Sequence, residues 1–208
     1  MVTALELIDV EGVEALSLRR LAQALDRSAM ALYRHAENKG DLLDGVVELL
    51  LEQVVLDADA PAWQDELRRV AHRFRGLALE HPNAVPLLLA RSLSTPLGLR
   101  PLGMLRPLEA FLQLANRAGL DDAAAVAACR SFFGLLHGHV LDELQGVVAY
   151  PEERDDLLRL GLHRLPLGEF PRMRSLASAM SAYDGAAQLD RLLEALLVSL
   201  AADLPPSG

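Results

Sequence analysis

A short stretch near the start of the chain carries the side chains best suited to binding phosphate. The basic residues in it are Arg19, Arg20, Arg27, Arg34 and Lys39. Only two acids fall between residues 17 and 39, so the local charge is +3, whereas the whole chain has a net charge of −9. A small basic patch on an acidic body is typical of a protein that meets nucleic acid with one face. The same charges also fit an ordinary solvated surface, so the elements that position them decide between the two interpretations.

Two short helices are predicted around these basic residues. Ser17 is a favourable N-cap, and the apolar residues Leu18, Leu21 and Leu25 follow it at helical spacing. Residues 26–28 form a three-residue break before a second short helix. Two helices joined in this way predict a helix-turn-helix, whose second helix lies in the major groove of DNA. The alternative is an ordinary helical hairpin within a larger bundle.

The family resemblance lies in residues 15–43, which read ALSLRRLAQALDRSAMALYRHAENKGDLL. This run closely resembles the DNA-binding region of TetR-family transcriptional regulators, and its most specific part is LYRHAENKGDLL. The preceding ALELIDVEG is similar to the first helix of the family, and GHVLDE at 138–143 is similar to the tetracycline-repressor branch. Asp26 stands where the family usually has Gly, but Asp tolerates left-handed backbone better than a branched residue does.

The resemblance implies which residues contact double-stranded operator DNA. Those that would contact phosphate are Ser17, Tyr33, His35 and Lys39. Arg19 would reach a base, for which guanine is the best partner. The recognition positions are held by Ala29 and Met30, whose side chains suit thymine methyl groups, so the remaining polar recognition would come from Arg27 and Ser28. The alternatives are core packing for Tyr33 and a favourable helix-end dipole interaction for His35.

Helical periodicity continues to the end of the chain, and no segment alternates like a strand, so the predicted fold class is all-α. We expect a helix-turn-helix domain over residues 1–45, joined by a long helix to a larger helical ligand-binding and dimerisation domain over 46–208. The joining helix is predicted to begin at Asn38 and to include Val54. Further helices are predicted over about 61–80, from Leu120 to Gln145, and from Asp184 to Ala202.

The resemblance implies a homodimeric repressor that a small molecule releases from its operator. Candidate ligand-pocket residues are apolar, with one histidine among them: Trp63, Phe74, Leu88, Met104, Phe111, Phe133 and His137. Candidate dimer-interface residues lie on two strongly apolar helices: Phe132, Leu136, Val140, Leu193, Leu196 and Leu200. Core packing is the alternative for both sets. The histidines with which the tetracycline branch binds its magnesium-chelated drug are missing from the helix after Asn38 and from residues 87–100, so tetracycline is not the expected ligand.

Other function classes find less support in the sequence. His139 and Glu143 share a helix face and could ligate a metal together, but a helix-packing pair is the favoured interpretation. No nucleophile-plus-base signature or phosphate-binding glycine loop is present, so an enzyme, a cofactor and a metal site are not expected. A helical small-molecule carrier without DNA function remains the alternative. With one cysteine, no signal peptide and no run of about eighteen apolar residues, we expect a cytoplasmic protein without a membrane span. The first helix begins almost at Met1, which leaves no basic arm before it unless the sequence is truncated.

Overall fold

The computed structural model describes residues 1–32, 34, 36–88, 96–149 and 152–204 of the chain. These residues form helices and connecting segments without any strand, which confirms the all-α fold class. The N-terminal helices are α1 (Val2–Glu11), α2 (Leu18–Ala24), α3 (Ala29–Leu32) and α4 (Lys39–Leu51). The later helices are α5 (Trp63–Glu80), α6 (Leu102–Ala118), α7 (Asp122–Ala149), α8 (Asp156–Arg159), α9 (Pro171–Ser175), α10 (Ala177–Ser181) and α11 (Gly185–Ala202).

Capping residues define the starts of the helices much as their types predict. Asn38 Oδ1 accepts a hydrogen bond from the backbone N–H of Asp41 at 3.1 Å, and Asp184 Oδ1 accepts one from Ala187 at 3.0 Å. In return, Asp41 Oδ2 accepts from the backbone N–H of Glu37 at 2.7 Å. The predicted starts of α4 and α11 are therefore correct to within one residue.

Two predicted helix ends are wrong. The helix α4 ends at Leu51 rather than extending past Val54, and the backbone N–H groups of Gln53 and Val54 bond three residues back, as in a tightening final turn. The helix α7 continues through Gly146 to Ala149 instead of stopping there. A single glycine lowers helix propensity by only about 1 kcal/mol relative to alanine, so the surrounding helix carries on through it.

One continuous hydrophobic core extends from the N-terminal helices into the larger bundle. Ile8, Val46 and Leu50 are completely buried at one end, and Phe132 and Leu193 are completely buried at the other. The helix α4 packs on both α1 and α6, and α7 packs on α5, α6 and α11. The predicted helix-turn-helix is therefore attached through α4 to the helices that surround the larger core.

The long helix α7 is apolar over most of its length. By length and composition alone, Asp122–Gln145 would be sufficient to cross a membrane, a test that core helices also pass. Its completely buried or nearly buried residues pack against three neighbouring helices, as in the centre of a helical bundle. Core burial accounts for part of this composition, since 39% of the apolar window is buried.

Candidate functional site

The two helices of the predicted DNA-binding motif are connected by a tight left-handed turn. Ser17 Oγ accepts a hydrogen bond from the backbone N–H of Arg20 at 3.1 Å, which fixes the start of α2. Asp26, in the turn after α2, has a φ of 50°, the only positive value at a non-glycine residue that the structure describes. The expected left-handed conformation at Asp26 is therefore confirmed. This turn leads directly to Ala29, the first residue of α3.

The side chains predicted to meet DNA are exposed where the structure describes them. Arg19, Arg27 and Ser28 are all exposed, and Met30 is 76% exposed despite its large apolar side chain. Neither Arg19 nor Arg27 forms an ion pair within the part of the chain that the structure describes. The hydroxyl of Ser17, which accepts from Arg20, still has its own hydrogen to donate. These groups therefore have the exposure and hydrogen-bonding capacity that a DNA contact needs.

Two other basic residues of the motif are held by acids. Lys39 Nζ lies 3.4 Å from both the carbonyl oxygen and Oε2 of Glu14, and it is half-buried. Arg20 forms a two-bonded ion pair with Glu11, and this contact holds the pKa of the Glu11 carboxyl below its usual range. The basic patch thus has a partly neutralised edge beside α1. Tyr33 and His35, which the resemblance also assigns to phosphate, lie outside the described residues.

The larger helices border a cavity of about 510 Å³ that is partly open to solvent, and this volume is typical of small-molecule sites. Of the residues predicted for a pocket, four line it: Leu88, Met104, Phe133 and His137. Further apolar lining comes from Leu51, Leu97, Pro107, Leu108, Leu112 and Val126. Polar or reactive groups come from Arg100, Cys129 and Arg130. The wall is therefore mostly apolar, with a few charged or polar groups.

The remaining predicted pocket residues lie elsewhere in the bundle. Phe74 lines a second space of about 40 Å³, which shares Phe133 and His137 with the larger cavity. Trp63 and Phe111 border a gap of only about 10 Å³, so they pack within the core. The ring of Phe111 lies 5.3 Å from that of Phe132, centroid to centroid, in a cluster of aromatic side chains. Aromatic residues in this bundle serve both packing and cavity lining, which the sequence pattern does not distinguish.

Burial controls the ionisation of two groups in the cavity wall. It lowers the pKa of His137, so the imidazole is neutral near pH 7. It also raises the pKa of the Cys129 thiol to about 11, with a smaller opposing effect from Arg130, so the thiol is protonated. The ring of His137 lies 6.0 Å from Phe74 and 6.2 Å from Phe133. The part of the cavity beside His137 is therefore uncharged.

The helix α4 contacts the cavity directly. Leu51, its last residue, is part of the wall. One turn earlier, Glu48 Oε1 accepts a hydrogen bond of 3.1 Å from the backbone N–H of Gly103, next to the cavity residue Met104. A Cβ at position 103 would lie only 2.7 Å from the Glu48 side chain, so glycine is needed for this close approach. The end of α4 and the start of α6 are thus joined at the edge of the cavity.

The predicted dimer-interface residues are mostly buried within the single chain. Phe132, Leu136, Val140, Leu193 and Leu200 are at most 6% exposed, because they pack into the core of their own chain. Leu196 alone of the six is partly exposed. The apolar stripes were thus correctly recognised as packing faces, but the faces left exposed on the same helices carry other side chains. On α7 these include Ser131, Gly134, Gly138 and Leu141, and on α11 they include Ala195 and Val198.

His139 and Glu143 belong to a buried ion-pair cluster that joins helices. Arg75 donates to both carboxylate oxygens of Glu143, from Nε at 2.8 Å and from Nη2 at 2.5 Å. His139 Nε2 lies 3.5 Å from Glu143 Oε2. Burial is the main cause that lowers the pKa of His139. The ion pair between Arg75 and Glu143 links α5 to α7 and occupies both carboxylate oxygens. Among the residues that the structure describes, no group of three side chains could ligate a metal together.

Sequence reasoning missed the two arginines and the cysteine of the cavity. Arg130 and Cys129 could have been found from their spacing, because they precede Phe133 and His137 by about one and two helical turns on α7. Arg100 lies between a single 3₁₀ turn (Leu97–Leu99) and α6, and nothing in its local sequence predicts that it borders a cavity.

Comparisons with known proteins agree with both parts of the fold. Residues 1–46 match the family model described as "Bacterial regulatory proteins, tetR family". Residues 67–165 match the model described as "Tetracyclin repressor-like, C-terminal domain". The second match covers the helices that contribute most of the cavity wall, and it supports the similarity first seen in GHVLDE.

Three relatives illustrate the match. The transcriptional repressor DrrR1 of Streptomyces coeruleorubidus is 31% identical over 68% of this chain, and the match spans about half of the relative, 51%. A possible TetR family transcriptional regulator from Streptomyces coelicolor A3(2) has a TM-score of 0.76 at 28% identity, with 96% of both chains covered. The S. coelicolor TetR family protein ActR, in complex with (S)-DNPA, has a TM-score of 0.71 at 28% identity, covering 97% of this chain and 94% of ActR. This chain belongs to the TetR family of transcriptional regulators.

Proposed function

We propose that this chain is a cytoplasmic, homodimeric repressor whose hold on operator DNA is weakened by a small molecule bound between α4, α6 and α7. One observation carries the proposal: Leu51, the last residue of α4, lines the 510 Å³ cavity. The same helix begins just after the DNA-binding motif, so a ligand that displaces its end would also displace the motif. The complex of ActR with (S)-DNPA supports a small-molecule site in a chain of this shape.

The helix α4 connects the part of the chain proposed to bind DNA with the part proposed to bind the ligand. Residues 1–45 bind DNA in this proposal, and residues 46–208 bind the ligand and a second copy of the chain. The helix α4 crosses the boundary between them, and its buried residues belong to a core that continues on both sides. A ligand needs only to bind one position of α4 more tightly than the other to shift the balance between them.

A second copy of the chain would supply the second DNA-binding motif. The exposed faces of α7 and α11 support this arrangement, since Leu141 is 43% exposed and Val198 is 60% exposed, while Gly134 and Gly138 leave room for close approach. A twofold dimer would place two motifs on half-sites separated by one helical turn of DNA, about 34 Å.

The test is a fluorescence-anisotropy titration against DNA from upstream of the gene and against a scrambled duplex, each at two salt concentrations. We expect salt-sensitive binding with a clear preference for the upstream DNA. Arg19→Gln should weaken binding to the preferred DNA about tenfold or more, because an arginine contact to a base is worth about 1–3 kcal/mol. Arg172→Gln, on the exposed surface of α9, is the matched control and should bind like the unaltered protein.

Two results would contradict the proposal. Equal, weak binding to both duplexes would remove the support for a sequence-specific regulator and favour a small-molecule carrier. A loss of affinity of the same size in Arg19→Gln and Arg172→Gln would show that general charge, rather than the helix-turn-helix, is responsible for binding.

A further inference from the structure

The cavity is elongated along one face of α7. Its α7 lining consists of Val126, the adjacent pair Cys129 and Arg130, Phe133 and His137, so that successive turns of the helix each contribute to the wall. Such a series lies on one side of a helix and rises 1.5 Å per residue, so the wall extends about 16 Å along the axis. The cavity therefore suits a molecule that is longer than it is wide.

The two ends of this wall differ in charge. Arg130 is exposed near one end, one helical turn from Val126, and it makes no ion pair with any residue that the structure describes. Its own helix carries no acid within one turn on either side of it, since residues 126–134 are otherwise uncharged. The guanidinium is always protonated and matches the geometry of a carboxylate. Arg100 also borders the cavity, but it already has an interaction of its own.

The other end is apolar and neutral. His137 lies about 10 Å along the helix axis from Arg130, seven residues away, beside the rings of Phe74 and Phe133. The acid nearest to it in sequence, Asp142, is more than one turn further along α7. Together with Met104, Leu51 and Leu88, these side chains provide a surface that favours the burial of an apolar body.

We infer that the ligand of this cavity is an elongated apolar molecule with a single anionic group, of the kind that an aromatic or long-chain carboxylic acid provides. The anionic group pairs with Arg130, and the apolar body extends along α7 towards Phe133 and His137. This inference rests on the proposed ligand-responsive function, and it adds the chemical class of the ligand. A cationic or strongly polar molecule does not fit this distribution of groups.

Two fluorescent probes with nearly the same ring system test the inference. Anilinonaphthalenesulfonate carries one anionic group, and N-phenylnaphthylamine lacks it. We expect Arg130→Gln to weaken binding of the sulfonate about tenfold or more, while binding of the neutral amine changes less than about twofold. Arg106→Gln is the matched control, because Arg106 lies on α6 but lines a different, smaller space beside Glu48. This control should leave the affinity for both probes unchanged.

The single cysteine of the chain reports whether the probes occupy this cavity. Cys129 lines the wall, so a bound probe should slow its alkylation by a small maleimide, measured by mass spectrometry. The sulfonate should protect Cys129 in the unaltered protein and protect it much less in Arg130→Gln. Circular dichroism melting curves of each variant check that the fold is retained.

Three results would overturn the inference. An equal loss of affinity for both probes in Arg130→Gln would show that the anionic group is not recognised. A loss of affinity in Arg106→Gln as large as that in Arg130→Gln would place binding elsewhere. Probe binding without protection of Cys129 would show that this cavity is not the site. Operator binding is titrated on the same preparations without a probe, so its loss would identify a failure of the regulatory function separately from a failure of the ligand class.

Discussion

Asp26 takes the backbone conformation that glycine adopts most easily. Its φ of 50° places the backbone in the left-handed region, where most non-glycine residues are strained and Asp and Asn are the best tolerated of them. The turn after α2 depends on this conformation to direct the chain into α3. The cost of replacing Asp26 should therefore rise with the difficulty the new side chain has at positive φ.

We expect stability to fall in the order Gly or Asp, then Ala, then Val at position 26. Asp26→Val should lower the free energy of unfolding by about 1–2 kcal/mol, because a β-branched side chain is strongly disfavoured at positive φ. Asp26→Gly should be nearly neutral, since relief of strain is offset by greater freedom of the unfolded chain. Urea denaturation of the three variants measures the order. If the Asp26→Val protein were as stable as the unaltered protein, the turn would not depend on this conformation.

The residue types in the motif predicted its local geometry well because the forces there are local. Ser17 and Asn38 cap helices through bonds to N–H groups three residues away, and Asp26 occupies a turn whose requirement is set by its own backbone. The cavity residues could not be selected in the same way. Phe111 and Phe133 are both aromatic residues on apolar helix faces, yet only Phe133 lines the large cavity.

At the scale of whole elements, the contact between α4 and α6 is the most direct link between the motif and the cavity. Glu48 accepts from the backbone N–H of Gly103, a partly buried donor at the start of α6. That N–H has no carbonyl of its own helix to bond, because the first four N–H groups of a helix are unsatisfied. The carboxylate of one helix thus caps the other.

We expect Glu48→Ala to lower the free energy of unfolding by about 1 kcal/mol or more, because it leaves the partly buried N–H of Gly103 without its acceptor. Glu48→Gln retains a side-chain oxygen and should lose much less. Glu52→Ala is the control on the exposed end of the same helix junction, and it should be nearly neutral. Chemical denaturation measures all three. Equal losses in Glu48→Ala and Glu48→Gln would point to the charge rather than the cap.

The apolar stripes on α7 and α11 show why the pattern of single helices does not predict which surface forms a subunit interface. Hydrophobic spacing identifies the face of a helix that is covered, but an intrachain core and a subunit interface present the same pattern. Phe132 and Leu193 were assigned to an interface and lie in the core. The exposed faces contain small residues of low hydrophobicity, such as Gly134 and Ser131. Hydrophobic periodicity alone therefore does not identify these faces.

For the whole molecule, Gly138 provides a test of the proposed dimer. A Cβ built there meets no other atom within 4 Å, and the residue is exposed on α7. Gly138→Leu should leave the single chain folded, because leucine has a higher helix propensity than glycine by about 0.8 kcal/mol. If a second copy packs closely on this face, the larger side chain should weaken dimerisation about tenfold or more.

Sedimentation velocity over a concentration series measures the effect. Gly76→Leu on α5 is the matched control, since a Cβ there also meets nothing within 4 Å and Gly76 lies outside the proposed interface. A dimer unchanged by Gly138→Leu, or one weakened equally by Gly76→Leu, would move the interface to another part of the surface.

The position of Leu51 has a consequence that follows from thermodynamic linkage. Since the residue that ends α4 is also part of the cavity wall, the proposed effect of ligand on DNA binding must be reciprocal. If bound ligand lowers the affinity for the operator by a given factor, bound operator lowers the affinity for the ligand by the same factor. The concentration of ligand needed for release is then not a property of the cavity alone. It rises with the strength of the operator, so one protein would respond to different ligand concentrations at different genes.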